Sequence, residues 1–278
     1  MEYNRQKAES FQNLHLNPDT FIMANAWSAG SAVILEESGF KAIGTTSAGI
    51  AYSHALPDSE GAVSFELALE EVHKIAKAVN IPVSMDAENG YGDSPEQVAR
   101  NMKEIIATTV VGANIEDYTG NSAKPLYDRK LAIERIRAAK EAVTDIAYPF
   151  MLTARTDCFL SNHPKALDES IYRANAYTEA GADCLFVPGI KDIDTIKLFV
   201  KETSAPVSVV MGLSGSPISL KELEDAGVAR ISIGGSLARA TFGLIRRASK
   251  EMLENGTFEF SNKQIVDNEL CNLFSIKK

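Results

Sequence analysis

Carboxylate side chains stand at the ends of two successive apolar segments of the chain. Asp86 and Glu88 close one segment, Glu116 closes the next, and Asp58 lies in the stretch before them. Residues two apart in an extended strand point to the same side, so Asp86 and Glu88 can face one space. Oxygen ligands without cysteine or histidine favour a hard cation. The four acids therefore predict a Mg²⁺ or Mn²⁺ site, unless they cap helices or pair with surface lysines.

A cationic side chain ends a later apolar segment, in the run Thr153-Ala154-Arg155. The planar guanidinium of Arg155 can hold a substrate carboxylate through two parallel hydrogen bonds. It can also serve as a structural partner that neutralises the acids. Under either interpretation Arg155 belongs to the same site as the four carboxylates.

The segments that carry these residues alternate with amphipathic helices. Continuous apolar runs are typical of parallel strands that are covered on both faces. The predicted strands are 21–26, 42–47, 81–86, 111–116, 150–155, 184–188, 207–211 and 230–233. Three of the intervening helices are followed by a glycine (Gly39, Gly181 and Gly227), which can adopt the left-handed conformation that ends a helix.

Eight strand–helix units predict an α/β protein with a (β/α)₈ TIM barrel, whose active site lies at the carboxyl ends of the strands. The rival fold, a doubly wound open sheet, usually has a GxGxxG turn after its first strand, and residues 25–30 lack that turn. We find no linker and predict one domain over 1–278. It would include an N-terminal helix at about 1–18 and a C-terminal tail at about 258–278. The tail would pack outside the barrel or on a neighbouring subunit.

Other residues near the predicted strand ends are further candidates. His54 lies close to Asp58 in sequence and could act as an acid or base. Trp27 follows the first strand and could wall the site or simply pack. The predicted strands contain no lysine, which argues against a Schiff-base mechanism.

Composition excludes several classes of partner. The 278 residues carry a formal net charge of −9, which disfavours a nucleic-acid interface or a polybasic membrane patch. No apolar run approaches the ~18 residues of a membrane span, and the first twenty residues lack an apolar signal core. The three cysteines form no CxxC pair. We expect a reduced, cytoplasmic environment.

Several short motifs together resemble one known group of enzymes. The run from Asp86 to Gly92, D-A-E-N-G-Y-G, is similar to the D-A-D-T-G-[YW]-G motif of the isocitrate lyase and phosphoenolpyruvate mutase superfamily. The segments I-E-D at 115–117, A-R-T-D at 154–157, A-N-A-W at 24–27 and T-T-S-A-G at 45–49 also resemble that superfamily. The likeness covers about 15–250 in the same order.

The resemblance implies a (β/α)₈ barrel that forms a homotetramer, often with a helix exchanged between subunits. It implies Mg²⁺ held by Asp86 with help from Asp58, Glu88 and Glu116, partly through water. It further implies that a small 2-oxo acid or phosphonate substrate is held by Arg155 and by backbone amides near Ser47, Ala48 and Gly49. The shared chemistry forms or consumes a metal-stabilised enolate.

Departures from the superfamily pattern bear on the reaction. The lyases carry a catalytic cysteine in the loop after strand four, but 118–128 contains neither cysteine nor histidine. Gly189 replaces a glutamate that the lyases have after strand six. Asn121 and Ser122 resemble the end of the K-x-N-S element of the mutases, without its lysine. The loop 118–128 is predicted to be a mobile lid, with a rigid turn as the alternative.

The predicted reaction is cleavage of a C–C bond next to a 2-oxo or 2-hydroxy carboxylate, with oxaloacetate decarboxylation as the simplest example. Decarboxylation needs no acid for a bulky leaving group. Water, Tyr118 or His54 could protonate the enolate. The first alternative is a phosphonopyruvate or phosphoenolpyruvate mutase, or a phosphonopyruvate hydrolase, in which Asn121 and Ser122 would act. The second is a binding barrel that has lost catalysis.

Overall fold

Eight parallel strands close into a barrel in the computed structural model, which describes residues 2–59, 61–213 and 218–275. The strands follow one another around the barrel in chain order. They are β1 Phe21–Ala26, β2 Ile43–Thr45, β3 Val83–Asp86, β4 Gly112–Glu116, β5 Met151–Arg155, β6 Cys184–Phe186, β7 Val207–Val210 and β8 Arg230–Ser232. The (β/α)₈ prediction is confirmed, because each predicted strand forms and differs from the observed one only at its ends.

Helices alternate with the strands and cover the outside of the barrel. They are α1 Glu2–Leu16, α2 Ala29–Glu37, α3 Ser47–Ser53, α4 Phe65–Ala78, α5 Pro95–Ala107, α6 Arg129–Ala142, α7 Ala166–Glu179, α8 Ile193–Glu202, α9 Leu220–Asp225, α10 Ser236–Asn255 and α11 Asp267–Ser275. A short 3₁₀ helix, Glu259–Lys263, precedes α11. Gly39, Gly181 and Gly227 have φ of +94°, +104° and +79°, as their places after α2, α7 and α9 predict.

The main core lies between the outer face of the strands and the inner faces of the helices. A second, smaller apolar cluster closes the amino-terminal end of the barrel, where Phe11 of α1 packs with Phe21 and Met151. Gly112 makes room for this plug, since a Cβ there would lie 2.9 Å from the ring of Phe11. The barrel is therefore sealed at its amino-terminal end, and its cavity opens at the carboxyl ends of the strands.

The C-terminal segment packs on the outside of its own barrel. Residues of α11 lie against α2, with the Phe274 ring 3.8 Å from the position of a Cβ on Gly30. On α10, Leu244, Ile245 and Leu253 are exposed. No helix of the described residues combines the length and the apolar character that a bilayer span requires.

Candidate active site

A cavity of about 380 Å³ opens at the carboxyl ends of the strands. Its lining includes Asp58, Asp86, Glu88, Glu116 and Arg155, all of which the sequence predicts for the site. The carboxyl ends of neighbouring strands meet at the same end of a barrel, which brings together residues that are distant in the chain. The cavity is thus the candidate active site.

Asp86 is positioned by hydrogen bonds from several neighbouring residues. It ends β3, and its Oδ2 accepts hydrogen bonds from the Ser47 amide (3.0 Å) and hydroxyl (2.9 Å). Its Oδ1 accepts a bond from Nδ2 of Asn114 at 3.0 Å. Its backbone amide donates to the hydroxyl of Thr45. Donors from α3 and β4 therefore orient the carboxylate, and an acceptor on β2 holds the Asp86 backbone.

Glu88 lies two residues beyond the end of β3, in a left-handed conformation with φ of +46°. Its Oε1 accepts a bond from the Tyr91 hydroxyl at 3.2 Å, and its Oε2 accepts one from the Gly61 amide at 3.4 Å. Asp58 approaches from the loop after α3. Partial desolvation and the negative charge of Asp86 raise the pKa of Asp58, against the opposing effect of Arg155. Negative charge thus accumulates on this side of the cavity.

Arg155 is held between two carboxylates. Asp157 engages Nε at 2.6 Å and Nη2 at 2.8 Å, and Glu116 Oε2 lies 2.7 Å from Nη1. Burial opposes the positive charge, but the charges of Asp157 and Glu116 outweigh it, so the pKa of Arg155 stands well above its usual value. The Arg155 Cζ also lies 5.5 Å from the centre of the Phe186 ring. The guanidinium is fixed at the boundary between the acidic and the aromatic side of the cavity.

Asp157 is a further site residue, in addition to those predicted from the sequence. Burial raises its pKa, while the adjacent Arg155 lowers it. Its backbone amide donates to Oδ1 of Asp117 at 2.9 Å. Oδ2 of Asp117 in turn accepts bonds from the Tyr177 hydroxyl (2.7 Å) and from Arg173 (3.2 Å). Its place in the sequence could have indicated this role. Asp157 follows Arg155 by two positions, and residues two apart in an extended chain point to the same side.

Arg230 forms part of the cavity lining at its deep end and was also not predicted. It donates to Ser208 Oγ at 3.0 Å and to Thr153 Oγ1 at 3.2 Å, and its Nη1 lies 3.1 Å from Nε2 of His15. Burial and the charge of Arg230 lower the pKa of His15 to about 3. His15 is therefore neutral, with Nε2 accepting from Arg230 and Nδ1–H donating to the Phe11 carbonyl at 2.8 Å.

The remaining predicted residues divide into two groups. Ser47, Ala48 and Tyr118 line the cavity. The amides of Ser47 and Gly49 already donate to Asp86 and to the Thr46 hydroxyl, so holding a substrate through them stays a prediction.

Five predicted residues are not among the cavity-lining residues: Trp27, Gly49, His54, Asn121 and Ser122. Gly49 instead permits close packing, since a Cβ there would lie 2.8 Å from Trp27 Cβ. His54 caps α3 and lies 3.7 Å from Glu71. Asn121 and Ser122 form the exposed tip of their loop. His54 is close to Asp58 in sequence but does not lie beside it in the cavity, because His54 is at the carboxyl end of α3, outside the cavity lining.

The acids do not form a closed metal cage. Across 2–59, 61–213 and 218–275, no three acidic, histidine or cysteine side chains converge as a preformed metal site. Asp86, Glu88 and Glu116 are instead held by protein donors. Mg²⁺ in proteins is usually held by one or two carboxylates and several water molecules. The carboxylate oxygens that line this cavity fit that preference, because they need not all contact the ion directly. The donor chemistry is compatible with the predicted cation.

Known proteins match this chain along most of its length. The phosphoenolpyruvate phosphomutase family profile matches residues 11–253. The 2-methylisocitrate lyase of Escherichia coli K12 is 30% identical over 248 residues, covering 86% of this chain and 80% of that protein. An uncharacterised protein of Mycobacterium tuberculosis H37Rv is 33% identical, with 81% of each chain covered.

A solved structure shows the same architecture. The crystal structure of a lyase/mutase homologue from Burkholderia cenocepacia J2315 superposes with a TM-score of 0.95 and 41% identity, covering 99% of this chain and 98% of that one. The profile match spans all eight strands and every lining carboxylate described above. The chain therefore belongs to the phosphoenolpyruvate phosphomutase family, within the isocitrate lyase and phosphoenolpyruvate mutase superfamily.

Proposed function

We propose that the protein is a Mg²⁺-dependent lyase that cleaves a C–C bond next to a 2-oxo or 2-hydroxy carboxylate, as in the decarboxylation of oxaloacetate. The observation that carries the proposal is the pairing of an oriented acid group with Arg155 in a cavity that is closed only at the amino-terminal end of the barrel, together with a neighbouring loop that lacks a cysteine. The superfamily includes lyases and mutases, which supports an enzymatic role.

Asp86 would hold the cation, with Asp58, Glu88 and Glu116 contributing partly through water. The bound cation would supply positive charge that stabilises the negative charge developing on the substrate. Ser47 and Asn114 keep the Asp86 carboxylate in place through the bonds described above. This orientation needs no rearrangement when a ligand enters.

Arg155 would bind a carboxylate of the substrate. A guanidinium has five N–H donors, and Asp157 and Glu116 engage one on each nitrogen. Nη1 and Nη2 each retain a second N–H that can donate to a carboxylate. Because Asp157 fixes the guanidinium plane, a substrate held there would present its breaking bond in one orientation.

The chain needs few proton transfers for this reaction. As the C3–C4 bond of oxaloacetate breaks, its electron pair moves to C3 and forms the C2–C3 double bond of the enolate, and CO₂ leaves. The enolate then takes one proton at C3 and becomes pyruvate. Tyr118 lines the cavity and is the side chain of its loop best placed to deliver that proton, directly or through water. His54 is not in the lining and is the weaker candidate.

Phosphonopyruvate chemistry is the second candidate, as a mutase or a hydrolase, and the family match to phosphoenolpyruvate phosphomutase favours it. The exposed position of Asn121 and Ser122 would then require the 118–128 loop to fold inwards. A binding barrel without catalysis is the third candidate, and the retained acid group argues against it.

One experiment separates the candidates. The protein is incubated with Mg²⁺ and either oxaloacetate or phosphonopyruvate, while pyruvate is followed by a coupled assay and phosphorus species by NMR. We expect oxaloacetate turnover above the Mg²⁺-catalysed background, and we expect Asp86→Asn but not the exposed Asp145→Asn to abolish it. Turnover of phosphonopyruvate alone would establish the second candidate. Binding of both compounds without turnover of either would favour the third.

We also propose a homo-oligomer, as a tetramer. The exposed apolar side chains of α10 and of the segment after it support this, because monomeric proteins rarely expose large contiguous apolar patches. Light scattering after gel filtration tests it, with Ile245→Glu expected to lower the molar mass and Lys250→Glu, on the same helix, expected to leave it unchanged. A monomeric parent protein would refute the proposal.

A further inference from the structure

Apolar side chains line one side of the cavity. Whereas the acids approach from the ends of β3, β4 and β5 and from the loop after α3, the lining near β6 and β7 is apolar. We call this surface the apolar wall, and it consists of Leu160, Phe186, Pro188, Val210 and Leu213.

The five side chains form one continuous surface. Phe186 pairs with Ser208 across β6 and β7, so the next inward-facing positions, Pro188 and Val210, are neighbours as well. Val210 and Leu213 meet at the same point beside β8. A Cβ on Gly234 would lie 3.6 Å from Val210 Cγ2 and 3.4 Å from Leu213 Cδ2.

Leu160 completes the wall at its outer edge, where the backbone leaves no space for another side chain. Gly189 has φ of +95°, and a Cβ there would lie 3.0 Å from Leu160 Cδ2 and 3.0 Å from Phe159 Cβ. The polar neighbour in the lining, Ser161, donates its hydroxyl to the Cys158 carbonyl at 3.2 Å. Arg155 and Arg230 border this surface, but a substrate carboxylate placed against its hydrocarbon side chains would lose water without gaining a charged partner there, which is unfavourable.

Arg155 stands at the edge of the apolar wall, because its Cζ lies 5.5 Å from the Phe186 ring centre. A 2-oxo acid bound by Arg155 at this edge would have the apolar wall as the neighbour of its carbon chain on that side. Resting on the function proposed above, we propose that the apolar wall binds a small alkyl group on C3, so that the preferred substrates are 3-alkyl homologues of oxaloacetate.

The reaction for the 3-methyl compound balances without a further reactant. The C3–C4 bond breaks, CO₂ leaves, and the electron pair forms the C2–C3 double bond of the enolate. One proton from water or Tyr118 then adds to C3 and gives 2-oxobutanoate. The product differs from pyruvate by one methylene, which provides a direct probe of the apolar wall.

Calorimetric titration of pyruvate and of 2-oxobutanoate in the presence of Mg²⁺ tests the proposal without relying on turnover. One methylene moved from water to an apolar surface should make 2-oxobutanoate bind roughly 4- to 10-fold more tightly to the parent protein. Equal affinities, or tighter binding of pyruvate, would overturn the apolar-wall proposal and leave the 2-oxo acid function standing. Failure of both ligands to bind would overturn both proposals together.

Two variants test whether the apolar wall is the source of the preference for 2-oxobutanoate over pyruvate. Leu160→Ser is expected to fold, since Leu160 is 47% exposed, and Val210→Thr replaces one methyl group by a hydroxyl of similar size. Each should reduce the preference for 2-oxobutanoate to about 2-fold or less, by the same area argument. The matched control is Leu198→Ser on α8, at 42% exposure, which should keep the parent preference. A preference that survives in both wall variants would assign it to another surface and refute the proposal.

Discussion

Asp157 accepts hydrogen bonds from Arg155 with both carboxylate oxygens, at 2.6 Å from Nε and 2.8 Å from Nη2. Arg155 is the last residue of β5 and Asp157 follows it by two positions, so the strand end and the turn after it supply both the cation and the anion that orients it. The Asp157 backbone amide donates to Asp117, whose carboxylate also accepts a bond from the Tyr177 hydroxyl. A guanidinium oriented in this way can bind a carboxylate in one plane without first losing side-chain freedom.

Removing the Arg155 charge should destabilise the protein as well as inactivate it. Arg155→Met leaves Glu116 and Asp157 buried without their cation, which typically costs about 3–5 kcal/mol. We expect a loss of this order in the free energy of unfolding, measured with urea in the absence of metal, and a fall in kcat/KM of roughly 100-fold or more. The exposed Arg100→Met should change stability by no more than about 0.5 kcal/mol. An Arg155→Met protein as stable and active as the parent would contradict the assigned role.

The His15–Arg230 contact should make stability depend on pH. His15 has a pKa of about 3 in the folded protein, against 6.5 for the free side chain, so only the unfolded chain takes up its proton between these values. The contribution of neutral His15 to the free energy of unfolding is therefore complete above pH 6.5 and is lost progressively as the pH falls toward 3. Between pH 7 and pH 5, this histidine should lower the free energy of unfolding by about 2 kcal/mol.

His15→Gln isolates this contribution, because Gln can still accept a bond from Arg230 but does not titrate. Urea unfolding at pH 7 and pH 5 should show a smaller difference for the variant than for the parent protein. The variant His163→Gln, at a partly exposed histidine, should keep the parent difference. Identical pH dependence in His15→Gln and the parent would show that His15 is not buried in its neutral form.

The loop 118–128 should become more protected when a ligand binds. In the structure it is a small hairpin in which Tyr118 bridges to Leu126 and the Thr119 amide donates to the Pro125 carbonyl at 2.9 Å. Its tip is exposed, while Tyr118 at its base lines the cavity. Saturation with Mg²⁺ and oxalate should slow hydrogen exchange in 118–128 and leave 143–149, outside the cavity lining, unchanged. Unaltered exchange in 118–128 would indicate a rigid turn rather than a lid.

The protein should not cleave isocitrate or methylisocitrate at ordinary enzymatic rates. The loop contains no thiol to protonate the leaving product, and Gly189 provides no carboxylate. Turnover of either compound at ~1–10³ s⁻¹ would refute this. Gly189→Glu should not create the activity. Its Cβ would crowd Leu160 at a φ of +95°, so we expect a lower Tm with no gain in turnover.

The sequence alone was sufficient to identify the strands and their carboxyl ends. Apolar runs that are buried on both faces have a recognisable length and composition, so 21–26 coincides with β1 and the other predictions differ only at strand ends. Because a barrel collects the carboxyl ends of all its strands on one side, Asp86, Glu116 and Arg155 could be assigned to one site from their places in the chain. These are consequences of local periodicity and of one topological rule.

Only the tertiary structure decided which side chains touch within the cavity. Arg230 and His15 are 215 residues apart and meet because the barrel closes and α1 seals its end. The displacement of His54 and Trp27 from the lining, and the union of Leu160 with Val210 in one apolar wall, likewise depend on how helices and loops pack. Local patterns determine where a strand ends and which way its residues alternate. Contacts between distant side chains depend on packing geometry that no short segment of sequence contains.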